Sequence, residues 1–171
     1  MSNSFKRAAM GLCACMAIAA TAAVSAPSDG EILAIARAAN TAEINAAKLA
    51  KDRAQNPQVK QFAQQMVKDH GAMNAELAKN HDLKPTDNED SQRIRQDALD
   101  SLEKLKGMQG AEFDKTYIDK QVAMHEEVVS MMQDELIPNA QNPQLKAALD
   151  KAAPKVQSHL KMARQIRSAM E

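Results

Sequence analysis

Apolar residues recur along most of the chain at a spacing near 3.6 residues, and no strand-like alternation interrupts them. This spacing predicts five helices, over about 28–55, 57–80, 91–106, 111–136 and 143–171. The polar stretch 81–90 contains Pro85 and predicts a loop between the second and third helices. Four long helices with a shorter helical segment in the central crossover are typical of an all-α four-helix bundle.

A repeated motif predicts the turns of two related helical hairpins. Residues 55–60 read QNPQVK and residues 141–146 read QNPQLK, and the pattern Val-x-x-His-x-x-Met follows each copy, at 67–73 and at 156–162. A residue before proline is disfavoured in the α region, whereas proline itself suits the first turn of a helix. Each copy therefore predicts the end of one helix and the start of the next.

Each of the four long helices carries one ligand-type side chain on its apolar face. These side chains are Glu43, His70, His125 and His159. Each lies 13 to 16 residues from the proline that marks its hairpin turn. At ~1.5 Å of rise per residue, this places all four roughly 20 Å from a turn. We therefore expect them to converge on one layer of the core.

The composition of this layer suits a single divalent transition metal held by nitrogen and oxygen ligands, with Zn, Cu or Fe as the candidate ions. Burying the carboxylate of Glu43 is costly unless it is paired or coordinates a metal. A second interpretation is that the four groups hydrogen-bond one another, with Glu43 charged and one histidine protonated. Spacing alone leaves both open.

The first residues predict a secretory signal peptide. Lys6 and Arg7 precede an apolar run over 8–24, and a small-x-small cleavage pattern follows it. We expect a signal peptide over 1–25, cleaved after residue 25 or 26, and one domain over 26–171. The mature protein would then be periplasmic or secreted, and it contains no further apolar run long enough to span a membrane.

Both cysteines of the chain, Cys13 and Cys15, lie in this leader. The segment around Cys15 loosely resembles a lipoprotein signal, but the apolar run continues well past it, which argues against lipid anchoring there. The mature chain would have no disulfide and no thiolate ligand.

Charge and aromatic content argue against nucleic-acid binding. The 22 basic and 22 acidic residues of the chain become a net charge of −2 once Lys6 and Arg7 are removed. The three aromatic residues that remain are too few for base stacking, and no basic excess favours phosphate contacts. The sequence identifies no protein partner, and it leaves a homo-oligomer open.

Several segments of the chain are similar to one bacterial family. They are Ala42-Glu43, Val59-Lys60-x-Phe62-Ala63-x-x-Met66-Val67-x-Asp69-His70, Phe113-Asp114-x-x-Tyr117-Ile118, His125 and His159-Leu160. Together they resemble the ferritin-like bacterial domain of unknown function 4142, whose members often carry the label of an outer membrane protein. The resemblance implies a secreted or periplasmic four-helix bundle and no established reaction.

The chain departs from the di-iron pattern of ferritin-like proteins. Such sites use Glu-x-x-His on two helices, but Val67 and Val156 stand three residues before the corresponding histidines. The hypothesis is therefore a protein that binds one metal ion, in metal handling or envelope stress protection. The alternative is a non-catalytic envelope or interaction protein with a structural Glu/His cluster. A metal-dependent oxidoreductase ranks last, since four protein ligands would fill most of one metal's coordination positions.

Overall fold

The computed structural model describes residues 25–171, and helices are the only regular elements in that range. The helices are α1 Asp29–Arg53, α2 Pro57–Leu77, α3 Glu89–Lys106, α4 Gly110–Met131, α5 Ile137–Asn139 and α6 Pro143–Ala169, with a π-helical segment Met132–Leu136 between α4 and α5. The predicted signal peptide over 1–25, with Cys13 and Cys15, lies outside the described residues apart from Ser25. Among the described helices, none has the length and apolar content that a bilayer span requires.

Side-chain caps mark the start of three of the four long helices, α1, α2 and α6. Ser28 caps α1 and forms a reciprocal capping box with Glu31. Asn56 and Asn142 cap α2 and α6, and the Oδ1 atom of each accepts a hydrogen bond from the backbone two residues on, at 2.8 and 2.9 Å. The repeated motif thus forms the same turn twice, with proline in the first helical turn each time.

Each of the two hairpin turns is hydrogen-bonded to an aspartate of the other hairpin. Asp114, in the first turns of α4, accepts hydrogen bonds from the backbone N–H groups of residues 55 and 56, at 3.1 and 2.6 Å. Asp29, at the start of α1, accepts from those of residues 141 and 142, at 2.8 and 2.9 Å. Both aspartates neutralise backbone donors that precede a helix, where a negative charge is favourable. The hairpins are therefore held together reciprocally, and this is the role of Asp114.

The four long helices pack in a closed ring in the order α1, α2, α6, α4. The crossover helix α3 lies against the outside of α1, where it buries Ile94 and Leu105 and leaves Leu99 59% exposed. Helix α6 continues without a break through Pro154, although a proline inside a helix usually kinks or splits it. At the end of α4, the predicted single helix becomes the π-helical segment.

The core consists of two apolar clusters. One contains Ile35, Met73 and Leu149, and the other contains Phe62, Phe113 and Tyr117. Along α2, Met66 belongs to the second cluster and Met73 to the first, so that His70 lies at the boundary between them. The polar layer predicted from the sequence is therefore sandwiched between two apolar regions.

Candidate metal centre

Three of the four predicted ligand residues come together in this layer. His70, His125 and His159 are 4%, 2% and 1% exposed, and one ring nitrogen of each lies within 4.8 Å of those of the other two. Glu43 is 3% exposed and lies beside this group rather than within it. Its Oε1 atom is 3.9 Å from Nδ1 of His125. The role of Glu43 as a ligand stays a prediction.

Each histidine ring is fixed through one nitrogen by an oxygen on another residue. Nδ1 of His70 lies 2.8 Å from Oδ1 of Asn40, on α1. Nδ1 of His125 lies 2.9 Å from the backbone carbonyl oxygen of Gln121, one turn earlier on α4. Nε2 of His159 lies 2.9 Å from Oδ2 of Asp69, on α2.

These acceptors determine the tautomer of the rings. A carbonyl oxygen and a carboxylate only accept hydrogen bonds, so His125 carries its proton on Nδ1 and His159 carries its proton on Nε2. The same geometry with the amide oxygen of Asn40 protonates His70 on Nδ1. The opposite nitrogen of every ring is left with a free lone pair.

The three lone-pair nitrogens are buried. Within the described chain, Nε2 of His70, Nε2 of His125 and Nδ1 of His159 have no hydrogen-bond partner. The ring centroids are only 5.2 to 5.9 Å apart. Buried polar atoms usually have a partner, so three such atoms on adjacent rings call for an explanation. Histidines that bind metals characteristically give their second nitrogen to a carboxylate or a carbonyl, as these do.

Burial favours the neutral form of His70 and His159. Burial, reinforced by the neighbouring rings of His125 and His159, lowers the pKa of His70 to about 3. Burial also lowers the pKa of His159, although the hydrogen bond to Asp69 works against this. Neutral imidazole is the form that binds a metal, so the site is prepared for one near neutral pH.

Glu43 is connected to the histidines through Gln121. The Nε2 atom of Gln121 donates a hydrogen bond to Oε2 of Glu43 at 2.7 Å, whereas Oε1 of Glu43 has no partner in the described part of the chain. Burial raises the pKa of Glu43 and outweighs the opposing influence of His125 and Gln121. Oε1 of Glu43 is therefore a buried oxygen atom, close to His125, that is free to accept a hydrogen bond or to bind a cation.

Asp69 connects the site to the protein surface. Its carboxylate accepts from His159 and from Gln65, at 2.9 and 2.6 Å, and lies 3.5 Å from Nζ of Lys155. Burial raises the pKa of Asp69, but these hydrogen bonds and the charge of Lys155 outweigh it, so the pKa is lowered overall and the group is ionised. Asp69 and His159 both line an open groove of about 710 Å³ between α2 and α6.

A small apolar cavity lies on another side of the site. Its volume is about 50 Å³, and its polar lining residues are Asn40, Glu43, His70 and His125. The remaining lining residues are apolar and come from α1, α2, α3, α4, the π-helical segment and α6. The histidine layer therefore has an apolar cavity against His70 and His125 and a polar groove against His159.

The sequence interpretation did not identify Asn40 and Gln121 as partners of the site. Asn40 lies three residues before Glu43 on the same face of α1, and this polar residue on an apolar stripe is a signal that could have found it. Gln121 lies four residues before His125, one helical turn earlier on the same face of α4. Asp69, which directly precedes His70 in the sequence, also supports the site, because its carboxylate holds Nε2 of His159.

Taken together, these features define a chain that is all-helical over residues 25–171 and contains a buried group of three histidines, each with one ring nitrogen that has no partner among the described residues. The chain belongs to the family described as Domain of unknown function (DUF4142), whose sequence model matches residues 13–166. The family resemblance seen in the sequence is thus confirmed. No curated protein and no solved structure matches the chain.

Proposed function

We propose that this protein is a periplasmic, ferritin-like four-helix bundle that binds one divalent transition-metal ion through His70, His125 and His159. Its role would be metal handling or protection of the cell envelope under stress. The observation that carries the proposal is the set of three unpartnered ring nitrogens on rings whose other nitrogens are all fixed.

The donor set and its surroundings fit a metal such as Zn, Cu or Fe. Imidazole nitrogen is a good ligand for each of these ions. A Zn–N distance of ~2.0–2.1 Å places tetrahedral ligand atoms about 3.4 Å apart. One ring nitrogen of each histidine lies within 4.8 Å of those of the other two, so the rings would draw together by up to about 1.4 Å. Asn40, Gln121 and Asp69 would hold the rings in the correct tautomers during this closure.

Glu43 is the candidate for the fourth coordination position, and its Oε1 atom lies 3.9 Å from Nδ1 of His125, the ring nitrogen opposite the free one. Its unpartnered Oε1 atom lies beside His125, and a carboxylate that coordinates a cation recovers the cost of its burial. We therefore retain Glu43 as the candidate fourth ligand. A metal bound there would draw the carboxyl group towards its ionised form, since a coordinating carboxyl group must lose its proton.

The geometry favours one metal rather than two. A di-iron site of the ferritin-like kind needs a carboxylate three residues before two of the histidines. Val67 and Val156 occupy those positions, and Val156 is buried in the apolar core. Asp69 is the other carboxylate at the site, and it contacts the outer nitrogen of His159. The ring of four helices with a crossover helix supports the ferritin-like arrangement, and the predicted signal peptide supports the periplasmic location.

Metal titration of chelator-treated protein tests the proposal. Wild-type protein should bind one equivalent of Zn²⁺ by calorimetry and one of Co²⁺ by visible absorption. The double variant His70→Ala/His125→Ala should lose most of this affinity, because two of three ligands are gone. His81→Ala, in the exposed loop after α2, is the matched control and should bind like wild type.

Two results would overturn the proposal. One is wild-type protein that binds neither ion and carries no metal when it is purified from periplasm. The other is a double variant that binds as tightly as wild type. A melting temperature that chelators leave unchanged in the protein as purified would support the alternative, in which the cluster is purely structural.

A further inference from the structure

The apolar cavity beside His70 and His125 lies in the interior of the helical bundle. It lies on the side of the histidine layer that faces the cluster containing Ile35, Met73 and Leu149. Its walls come from every long helix of the ring and from the π-helical segment. The cavity is therefore formed by the packing of these helices against one another and not by one irregular loop or side chain.

The size of the cavity restricts what it can hold. Its volume of about 50 Å³ is a third of the roughly 150 Å³ at which an apolar protein cavity accommodates benzene. In proportion to the six carbons of benzene, about two or three heavy atoms fit. A larger molecule would have to displace side chains in a close-packed interior.

The lining determines the chemical class of the occupant. Most of the wall is apolar, and an ion would lose its hydration there without compensation. Three of the four polar residues that line the cavity carry a buried atom without a partner in the described chain, namely Oε1 of Glu43, Nε2 of His70 and Nε2 of His125. A neutral occupant would thus have one end at the ligand atoms and the other among apolar side chains.

The π-helical segment contributes to this cavity. Met132 and Leu136 belong to the π-helical turn, and both line the void. A π-turn inserts an extra residue and so changes the direction of the side chains around it, and such turns are frequent at functional sites. Here the wider turn replaces the regular α-helix that the sequence predicts at the end of α4.

We infer that this cavity binds a neutral molecule of two or three heavy atoms, with one end at a coordination position of the metal beyond those that the three histidines and Glu43 would fill. Contact with the metal rests on the function proposed above. Occupancy of the cavity does not, because its walls are formed by the side chains of the protein itself.

Xenon tests the cavity in metal-free protein. With ¹³C-labelled methionine methyls, xenon should shift the signals of the three methionines that line the void, namely Met73, Met131 and Met132. Met124 and Met162 lie outside it and should not shift. The variant Ala148→Val adds two methyl groups at the wall and should abolish the xenon shifts, whereas the exposed Ala123→Val should keep them.

Nitric oxide tests the contact with the metal. Protein loaded with Fe²⁺ without dioxygen should give an iron-nitrosyl signal in electron paramagnetic resonance. In Ala148→Val with the same iron content, NO affinity should fall at least tenfold, and in Ala123→Val it should be unchanged. Equal NO affinity in wild type and Ala148→Val would overturn the inference, and so would xenon that leaves all three cavity methionines unshifted. Failure of wild-type protein to take up Fe²⁺, Zn²⁺ or Co²⁺ would instead refute the proposed function, and the xenon result would still decide on the cavity.

Discussion

Protonation of His70 should lower the free energy of unfolding of the metal-free protein as the pH falls. Burial and the neighbouring histidines lower the pKa of His70 to about 3, against an ordinary value of 6.5. Between these two values the unfolded chain binds a proton at this residue and the folded chain does not. Acid therefore favours the unfolded state throughout this window, and the loss is complete only below the folded pKa.

The magnitude follows from the size of the shift. Each pKa unit corresponds to about 1.4 kcal/mol, so the full effect of His70 is about 5 kcal/mol, of which about 3 kcal/mol is reached at pH 4. The lowered pKa of His159 acts in the same direction. Glu43 acts in the opposite direction, because burial raises its pKa, so the stability it contributes is present in acid and is lost as pH rises.

Urea unfolding followed by circular dichroism at pH 7 and pH 4 measures this effect. The variant His70→Gln should have a smaller stability difference between the two pH values than wild type, by about 3 kcal/mol, since it has no group to titrate. His81→Gln, at an exposed position, should behave like wild type. Equal pH dependence in all three proteins would refute the conclusion that His70 is held neutral by burial.

Three further substitutions probe the support of the site and the fold. Asp69→Asn should weaken Zn²⁺ binding by about 10- to 100-fold, because it removes the anionic acceptor of His159. The control Asp82→Asn, at an exposed position, should bind Zn²⁺ like wild type. Equal Zn²⁺ affinity in Asp69→Asn and wild type would contradict the role assigned to Asp69. Lys155→Ala removes a positive charge 3.5 Å from Asp69 in the groove. It should accelerate Co²⁺ uptake roughly severalfold, measured by stopped-flow absorption. An acceleration no greater than that of Lys48→Ala, on α1, would count against metal access through this groove. Asp114→Ala leaves two backbone N–H groups at the first hairpin turn without a partner and should lower the free energy of unfolding by about 2 kcal/mol or more. A loss no larger than that of the exposed Asp97→Ala would show that these hydrogen bonds between the hairpins contribute little.

The fold could be anticipated from the sequence because its signals are local. Asn56-Pro57 and Asn142-Pro143 combine a cap with a proline in the first turn, and this chemistry specifies a helix start regardless of distant contacts. An all-helical fold was predicted and is confirmed for the described residues. The π-helical segment was missed because the spacing of apolar residues over Met132–Leu136 fits a regular α-helix as well.

The site was only partly predictable, because counting residues along a helix gives depth and not the order of helices around the ring. The three histidines that meet come from α2, α6 and α4, which are consecutive in that ring. Glu43 is on α1, at a matching depth but diagonally across from α6, so it contacts the site through its neighbour α4. Asp69 points away from His70 along α2, and it supports the site because the adjacent helix is α6, which brings His159 within hydrogen-bond distance. A single sequence contains no direct signal for that adjacency, so the same spacing would have fitted a ring in which Glu43 faced His159 and Asp69 faced solvent.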